Sequence, residues 1–140
     1  MKIFLDTSGL LSVFDRSDTH HAVCSTFWRE QLPGGRNELI ISDYILDELT
    51  TTVLGAVSHD SALEVLGTLL ELVERKRLRL IWVDRTYFAQ ARSIFEQYDD
   101  QEFSFTDCTS FAICRNNGIE NAFALDADFA AFGLNRLPAA

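Results

Sequence analysis

Four acidic residues lie at the ends of four separate apolar runs, and their chemical type is that of ligands for a divalent cation. They are Asp6, Glu48, Asp107 and Asp126. One fold could gather them into a single cluster. Carboxylates about 4 Å apart repel each other by roughly 1 to 4 kcal/mol per pair, depending on the effective dielectric. A bound divalent cation is the usual reason for such a cluster to persist, and we interpret the four residues as candidate metal ligands.

Three of these acids also have a purely structural interpretation. Asp6 and Asp126 are each placed to cap the first turn of a following helix. Asp107 lies where a helix macrodipole favours negative charge. For each of these positions taken singly, the capping role is the better explanation.

Glu48 is harder to explain as a cap, because it lies inside a predicted helix. Its neighbours at i−3, i−2 and i+1 are apolar, so it borders the buried stripe of that helix. Burying a carboxylate without a partner is costly. Asp43 and Asp47 are the nearby alternatives, and we rank both below Glu48 because capping or solvation explains them.

The composition predicts one globular domain over residues 1–140, since a chain of 140 residues needs neither a disulfide nor a zinc ion to fold. Cys24, Cys108 and Cys114 are odd in number and have no CxxC spacing, which favours buried, reduced thiols and a cytoplasmic location. No signal peptide and no membrane span are predicted.

The net charge of −9 would ordinarily count against a nucleic-acid partner. That argument is weak here, because cations bound among the carboxylates would supply the positive potential that a phosphate needs. The basic run contains Arg75, Lys76, Arg77 and Arg79. It is best explained by a helix C-terminus and a loop, with nucleic-acid contact as the second interpretation.

Predicted strands and helices alternate along the chain, which is typical of a parallel sheet covered on both faces. The strands are expected at 2–5, 38–42, 79–83 and 122–125. One helix should follow Asp18-Thr19 and stop at Pro33-Gly34-Gly35. The other helices should begin after Ser42, Ser58 or Asp60, Asp84, Thr106 and Asp126. Ligands of such sheets bind outside the carboxyl ends of the strands, where Asp6 and Asp126 lie.

Other reactive side chains carry weaker signals. His20, His21 and His59 lack any metal-ligand spacing, and exposure explains them better. Cys108 has no base nearby in sequence, which disfavours a thiol nucleophile. No glycine-rich phosphate loop is found.

Four segments of the chain resemble the acidic motifs of PIN domains. They are Phe4 to Ser8, Ser42 to Glu48, Ser104 to Phe111 and Ala124 to Phe129. The resemblance is strongest to the VapC-type toxins of prokaryotic toxin-antitoxin pairs and runs from the first strand to Gly133. The segment around Asp107 is the most specific of the four.

The resemblance implies a Mg2+- or Mn2+-dependent endoribonuclease on a three-layer α/β/α sandwich with a mainly parallel sheet. Its acidic quartet would be Asp6, Glu48, Asp107 and Asp126. Asp6 and Asp107 would contact metal, Glu48 would bind a second metal or orient water, and Asp126 would be peripheral.

Three further residues are expected to support these acids. Ser8 and Thr106 are candidates to hold the carboxylates by hydrogen bonds. Ala124 stands where the family often has Thr or Ser, and Asp128 offers a second carboxylate close by. The fourth acid is therefore Asp126 or Asp128.

The partners implied by the resemblance are RNA, a cognate antitoxin, and a second copy of the chain in a homodimer or hetero-oligomer. Candidate contact residues are Phe14, Trp28, Leu66 and Leu70, although the core interpretation is favoured for each. The alternative function is a PIN-like module that binds RNA or protein without cutting. A haloacid dehalogenase-type phosphatase is discounted because Ser8 occupies the position of its second Asp.

Overall fold

The computed structural model describes residues 1–32 and 35–139 as five strands and seven helices. The strands are β1 (Lys2–Leu5), β2 (Glu38–Ser42), β3 (Arg79–Ile81), β4 (Asn121–Phe123) and β5 (Asn135–Leu137). The helices are α1 (Thr7–Phe14), α2 (His21–Gln31), α3 (Asp43–Ala56), α4 (His59–Glu74), α5 (Arg85–Gln97), α6 (Phe105–Asn117) and α7 (Ala127–Phe132). None of these helices is long and apolar enough to span a membrane.

The five strands form one sheet in the order β3-β2-β1-β4-β5, and every pairing is parallel. This confirms the predicted fold class. The central strands are buried, as continuous apolar runs in a parallel sheet predict, with Ile3, Phe4 and Ile40 inaccessible to solvent. The three cysteines are free and buried among the same core residues, as predicted.

The strand order reverses beside β1. The chain moves outward from β1 to β2 and β3, and then returns to place β4 on the other side of β1. Right-handed crossovers put the helices of the two halves on opposite faces of the sheet. A crevice therefore opens at the carboxyl ends of β1 and β4, the position at which open α/β sheets bind ligands.

Gly9 in α1 allows this crevice to form. A Cβ atom at position 9 would lie 2.5 Å from the backbone oxygen of Phe123 at the end of β4. Real Cβ atoms do not approach a backbone oxygen so closely, so α1 can rest on β4 only with glycine there. The close contact is reinforced by the Asp6 amide, which donates to the same Phe123 oxygen at 3.1 Å.

Three predicted elements need correction. Between β1 and β2 the sequence predicted one full helix, after Asp18-Thr19, and only a capped first turn after Asp6, whereas the structure has two helices. The first of them, α1, is short and contains Ser and Gly, which are weak helix formers. The edge strand β5 was missed, since three residues are too few to show alternation. Helix α6 begins at Phe105 and is capped by Ser104, whereas Thr106 was the predicted cap. The Pro33-Gly34 part of the predicted turn lies outside the described residues.

On α4 the core interpretation is wrong for one of the candidate contact residues. Ala62, Val65 and Leu69 are buried, whereas Leu63 and Leu70 are exposed. Leu70 is therefore not a core residue, although the sequence favoured the core for it. Trp28, a candidate contact residue, is buried and stacks on Phe123, so its core interpretation is correct.

Candidate active site

A shallow cavity of about 360 Å³ lies at the carboxyl ends of the strands. Its lining residues are Asp6, Thr7, Ser8, Glu48, Glu102, Ser104, Asp107, Asp126 and Asp128. All four acids of the sequence prediction line this cavity, together with Asp128. No lysine or arginine of the described residues is among the lining residues, so six carboxylates share one small volume without a cationic side chain among them.

Asp6 leaves the end of β1 and caps α1. Its Oδ2 atom accepts hydrogen bonds from the Ser8 amide at 3.1 Å and from Ser8 Oγ at 2.5 Å. Only 3% of Asp6 is exposed. The capping interpretation and the cluster interpretation therefore both apply to this residue, because its Oδ2 atom caps the helix and the residue also lines the cavity.

Ser8 connects the residue after β1 to the loop after β4 at the cavity. Its hydroxyl donates to Asp6 and accepts from the backbone amides of Leu125 at 2.9 Å and Asp126 at 3.2 Å. Because these amides belong to the loop after β4, a single hydroxyl fixes the position of that loop relative to the Asp6 carboxylate.

We expect Ser8→Ala to loosen this connection. Two amides lose their acceptor, so the free energy of unfolding should fall by about 1 to 3 kcal/mol. The affinity of the site for Mg2+ should fall about tenfold or more, since Asp6 and Asp126 are no longer held together. Urea unfolding and calorimetric Mg2+ titration measure the two effects. Ser93→Ala, which removes an exposed hydroxyl on α5, is the control; equal Mg2+ affinity in both variants would contradict the positioning role of Ser8.

Asp107 lies in the first turn of α6 and completes a capping box with Ser104. The Asp107 amide donates to Ser104 Oγ at 3.0 Å, and Asp107 Oδ2 accepts from the Ser104 amide at 3.2 Å. Thr106 was predicted to hold this carboxylate, but its hydroxyl makes no hydrogen bond to a described residue, and Thr106 does not line the cavity. Ser104 has that position instead.

Asp126 and Asp128 both approach Asp107. One carboxylate oxygen from each of the three residues lies within 4.8 Å of the others. Asp126 caps α7 through a 2.9 Å hydrogen bond from the Asp128 amide to its Oδ1 atom. The structure thus leaves both candidates for the fourth acid at the cluster.

Glu48 projects from the second turn of α3 and is half-buried at the cavity. Its two acidic neighbours have other positions. Asp43 Oδ1 accepts from the Val83 amide at 2.7 Å and so fixes the segment after β3, while Asp47 is exposed.

Burial and the charges of neighbouring acids make the charged forms of Asp6, Asp107 and Asp128 unfavourable, which raises the pKa of each. Burial is the largest cause that raises the pKa of Asp6 to about 7, and the charges of Asp107 and Glu48 add to it. Burial likewise raises the pKa of Asp107 to about 6, with the Asp126 charge contributing. The pKa of Asp128 is also raised, first by burial and then by Asp126. Binding of a cation would therefore stabilise the charged forms of this cluster.

The donor set fits a hard divalent cation. Carboxylate oxygens are the ligands that Mg2+ and Mn2+ prefer. Thr7 adds an oxygen, because its buried hydroxyl lines the cavity and has no hydrogen-bond partner among residues 1–32 and 35–139. Buried hydroxyls without a partner are rare in proteins, so Thr7 is best explained by a group that the cavity receives.

Other chemistries fit poorly. Burial is the main cause that raises the pKa of the Cys108 thiol to about 11, and the Asp107 charge adds to it, so the thiol stays protonated near neutral pH. No histidine lines the cavity within the described part of the chain. The site is therefore a carboxylate site.

Sequence reasoning missed three cavity residues. Ser104 could have been found, since Ser104 stands three residues before Asp107 in the spacing of a capping box. Thr7 carried no signal beyond its place next to Asp6. Glu102 is an exposed acid in the loop before α6, and nothing in its neighbourhood marked it.

Three comparisons with known proteins agree with this geometry. The family model described as PIN domain matches residues 3–134. The 23S rRNA-specific endonuclease VapC20 of Mycobacterium tuberculosis is 31% identical over 131 residues, which cover 94% of each chain. Ribonuclease VapC26 of the same organism is 27% identical over 89% of this chain and 86% of that protein.

Solved structures give the same result. The crystal structure of M. tuberculosis VapC20, described as a sarcin-ricin loop cleaving toxin, superposes with a TM-score of 0.84 at 30% identity and covers 94% of this chain and 95% of that one. VapBC2 from Rickettsia felis, bound to a DNA fragment, matches with a TM-score of 0.68 over 97% of both chains. At 16% identity this second match shows a shared fold only.

Proposed function

The chain belongs to the PIN domain family, and from that premise we propose that it is a divalent-metal-dependent endoribonuclease. The observation that carries the proposal is the cavity at the reversal of strand order, where Asp6, Glu48, Asp107, Asp126 and Asp128 meet. The 31% identity to an rRNA endonuclease over 94% of the chain supports the choice of RNA as substrate.

The residues of the cavity have distinct parts in this proposal. Asp6, Asp107 and one of Asp126 and Asp128 would hold Mg2+ or Mn2+. When bound, such an ion stabilises charge on the scissile phosphate and increases the acidity of water. Glu48, half-buried at the edge of the cluster, is placed to accept a proton from the attacking water.

Two serines hold the reacting groups in place. Ser8 fixes one oxygen of Asp6, and the Ser104 amide fixes one oxygen of Asp107, so both carboxylates line the cavity with little freedom to turn. Positioning of this kind lowers the reorganisation needed when the phosphodiester bond breaks.

A loop of ribosomal RNA is the first substrate to test. The relative with 31% identity is named for 23S rRNA, and its crystal structure is described as that of a sarcin-ricin loop cleaving toxin. Sequence-specific recognition of RNA usually targets unpaired loops, whose bases can be splayed out. We therefore propose cleavage within an RNA loop.

We also propose that the chain is the toxin of a VapBC-type pair and binds a cognate antitoxin in the cytoplasm. A groove of about 660 Å³ between α1, α3 and α4 offers a mixed surface to a partner segment, because its lining combines apolar residues with polar and charged ones. The apolar residues are Val13, Phe14, Ala56, Val57 and Val65, and the polar ones are Asp15, Arg16, Ser17, Ser61 and Glu64. The homodimer stays a prediction, for which Phe88 and Phe95 of α5 are exposed apolar side chains available to a second copy.

The test is cleavage of purified ribosomes, and of a mixed RNA pool, by the antitoxin-free protein. We expect cleavage with Mg2+ or Mn2+ and none with EDTA, because the carboxylates alone cannot stabilise charge on a phosphate. Tight RNA binding without turnover under any metal would favour the alternative, a PIN-like binding module.

A further inference from the structure

A second cavity lies at the amino ends of β2 and β3, whereas the acidic site lies at the carboxyl ends of the strands. It has a volume of about 570 Å³ and is lined by residues that precede β2 and β3 and end α2 and α4. We call it the basic cavity, after its four cationic residues Arg36, Lys76, Arg77 and Arg79. Strands of three to five residues separate the two sites, or roughly 10 to 17 Å of extended chain.

Charge is strongly divided between the two edges. The chain has 21 acidic and 12 basic residues. Among the described residues, the acidic site has six carboxylates and no cation in its lining, whereas the basic cavity has four cations and one carboxylate, Glu38. Since local potential depends on neighbouring charges more than on net charge, the basic cavity attracts anions although the whole protein repels them.

Two of the four cations are held in place by the fold. Arg79 on β3 forms a 3.3 Å ion pair with Glu38 on the neighbouring strand β2. Arg77 donates from Nη1 to the Leu32 carbonyl oxygen at 2.5 Å and so joins the α4–β3 loop to the end of α2. These interactions explain both residues structurally.

Arg36 and Lys76 have no such explanation. Both side chains are exposed, and neither forms an ion pair with a carboxylate of the described residues. They lie on different loops, one before β2 and one before β3, yet they line the same cavity. Their positive charges are available to a ligand.

The backbone at Lys76 has a conformation that is uncommon for a residue with a side chain. Helix α4 ends in a Schellman motif, in which the amides of Lys76 and Arg77 bond to the carbonyls of Val73 at 3.1 Å and Leu72 at 2.9 Å. Lys76 occupies the left-handed position with φ of 59°. Glycine normally fills that position because it avoids a steric cost. Lysine there carries a steric cost that no ion pair of its side chain within the described residues offsets.

We infer that the basic cavity binds the phosphodiester backbone of the RNA substrate, at a place distant from the bond that is cut. The inference rests on the proposed RNA substrate. Phosphate contacts position a nucleic acid without reading its sequence, and Arg and Lys are the side chains that make them. A folded RNA is large enough to reach both edges of the sheet, and dsRNA segments are recognised mainly through shape and backbone.

The experiment measures binding without cleavage. Fluorescence anisotropy follows a labelled RNA hairpin of mixed loop sequence in EDTA, over a series of salt concentrations, with the wild type and the double variant Arg36→Gln/Lys76→Gly. We expect the Kd of the double variant to rise about tenfold near physiological salt. The slope of the logarithm of the association constant against the logarithm of the salt concentration is negative, and it should become less steep by about 2, one for each lost phosphate contact.

Stability and net charge are controlled separately. Lys76→Gly alone should raise the melting temperature, because glycine relieves the strain, so weaker RNA binding by this variant cannot come from unfolding. Arg85→Gln/Arg92→Gln removes the same charge from α5, which lines no part of the basic cavity. This control should bind RNA like the wild type.

Each outcome decides the inference. Equal RNA binding by the two double variants and the wild type would overturn it, as would equal weakening in both double variants, which would show a general charge effect. Poly-glutamate could also displace the labelled RNA hairpin as effectively as unlabelled RNA does. That result would identify a docking site for an acidic protein and would also overturn the inference. Saturation by inorganic phosphate at micromolar concentration would assign a small-molecule site instead.

The assay also separates this inference from the proposed nuclease activity. Loss of RNA binding in Arg36→Gln/Lys76→Gly would support the basic cavity even if no cleavage were ever found. Normal binding by that variant, together with metal-dependent cleavage by the wild type, would overturn the basic cavity and leave the nuclease intact.

Discussion

Asp107→Asn is expected to lower the rate of RNA cleavage at least about a hundredfold while the protein stays folded. Loss of a residue that merely supports a metal ligand costs about 10- to 100-fold, so loss of the ligand's own charge costs more. Asp107, Asp126 and Asp128 each place one carboxylate oxygen within 4.8 Å of the others. Asp107→Asn removes one of these three charged ligands.

The fold should tolerate this change because the capping box survives it. The side-chain oxygen of the introduced asparagine can still accept from the Ser104 amide, and the backbone amide at position 107 still donates to Ser104 Oγ, as it does with Asp107. Removing the charge also relieves the repulsion that, after burial, raises the pKa of Asp107 to about 6.

Asp47→Asn is the matched control, since it makes the same chemical change on an exposed acid of α3 beside Glu48. The rate of cleavage by this variant should equal that of the wild type. Cleavage of the same RNA by Asp107→Asn at the wild-type rate would show that the cluster is structural. A melting temperature far below that of the wild type would instead show that the main role of the Asp107 charge is to stabilise the N-terminus of α6.

The sequence predicted the sheet and the acidic cluster because both depend on local patterns. Short apolar runs alternating with helical segments determine a parallel sheet, and in such a sheet the carboxyl ends of neighbouring strands share one edge. Asp6 follows β1 directly, so its place at that edge needed no three-dimensional information. Glu48 was predicted from its neighbours in α3, which bury one side of the helix.

Other features depend on contacts between distant parts of the chain and could not be predicted in the same way. Ser8 was expected to hold a carboxylate, but its bonds to the Leu125 and Asp126 amides exist only because β1 and β4 are neighbours. The basic run before β3 could be read from the sequence. Its residues line one cavity with Arg36 only because β2 pairs with β3. Exposure of Leu63 and Leu70 likewise depends on which helices pack on α4.

Asp6→Asn is expected to stabilise the metal-free protein and to abolish its response to Mg2+. The pKa of Asp6 is raised from 3.8 to about 7, first by burial and then by the charges of Asp107 and Glu48. A raised pKa means that the folded state holds a proton that the unfolded state releases. The contribution of protonated Asp6 to the free energy of unfolding is therefore fully present below about pH 4 and is lost as the pH rises towards 7.

Because Asp6→Asn has no charge to bury at this position, its free energy of unfolding should not fall with rising pH in this way. Its gain in unfolding free energy over the wild type should be near zero at low pH and reach roughly 2 to 4 kcal/mol at neutral pH. The cap should persist, because the asparagine oxygen can accept from Ser8 as Asp6 does now. Urea unfolding in EDTA at a series of pH values measures the difference, with Asp47→Asn as the control that should show no such trend.

Mg2+ should reverse the order of stability. A ligand that binds only the folded state stabilises it by an amount that grows with ligand concentration, roughly 2.7 kcal/mol at 100 times the Kd. The wild type should therefore become more stable in Mg2+, and Asp6→Asn should not. A structural role for the Asp6 charge at the N-terminus of α1 predicts the opposite pattern, in which Asp6→Asn is the less stable protein in EDTA and both proteins respond equally to Mg2+. Because the two interpretations differ in sign, one pair of unfolding curves at neutral pH decides between them.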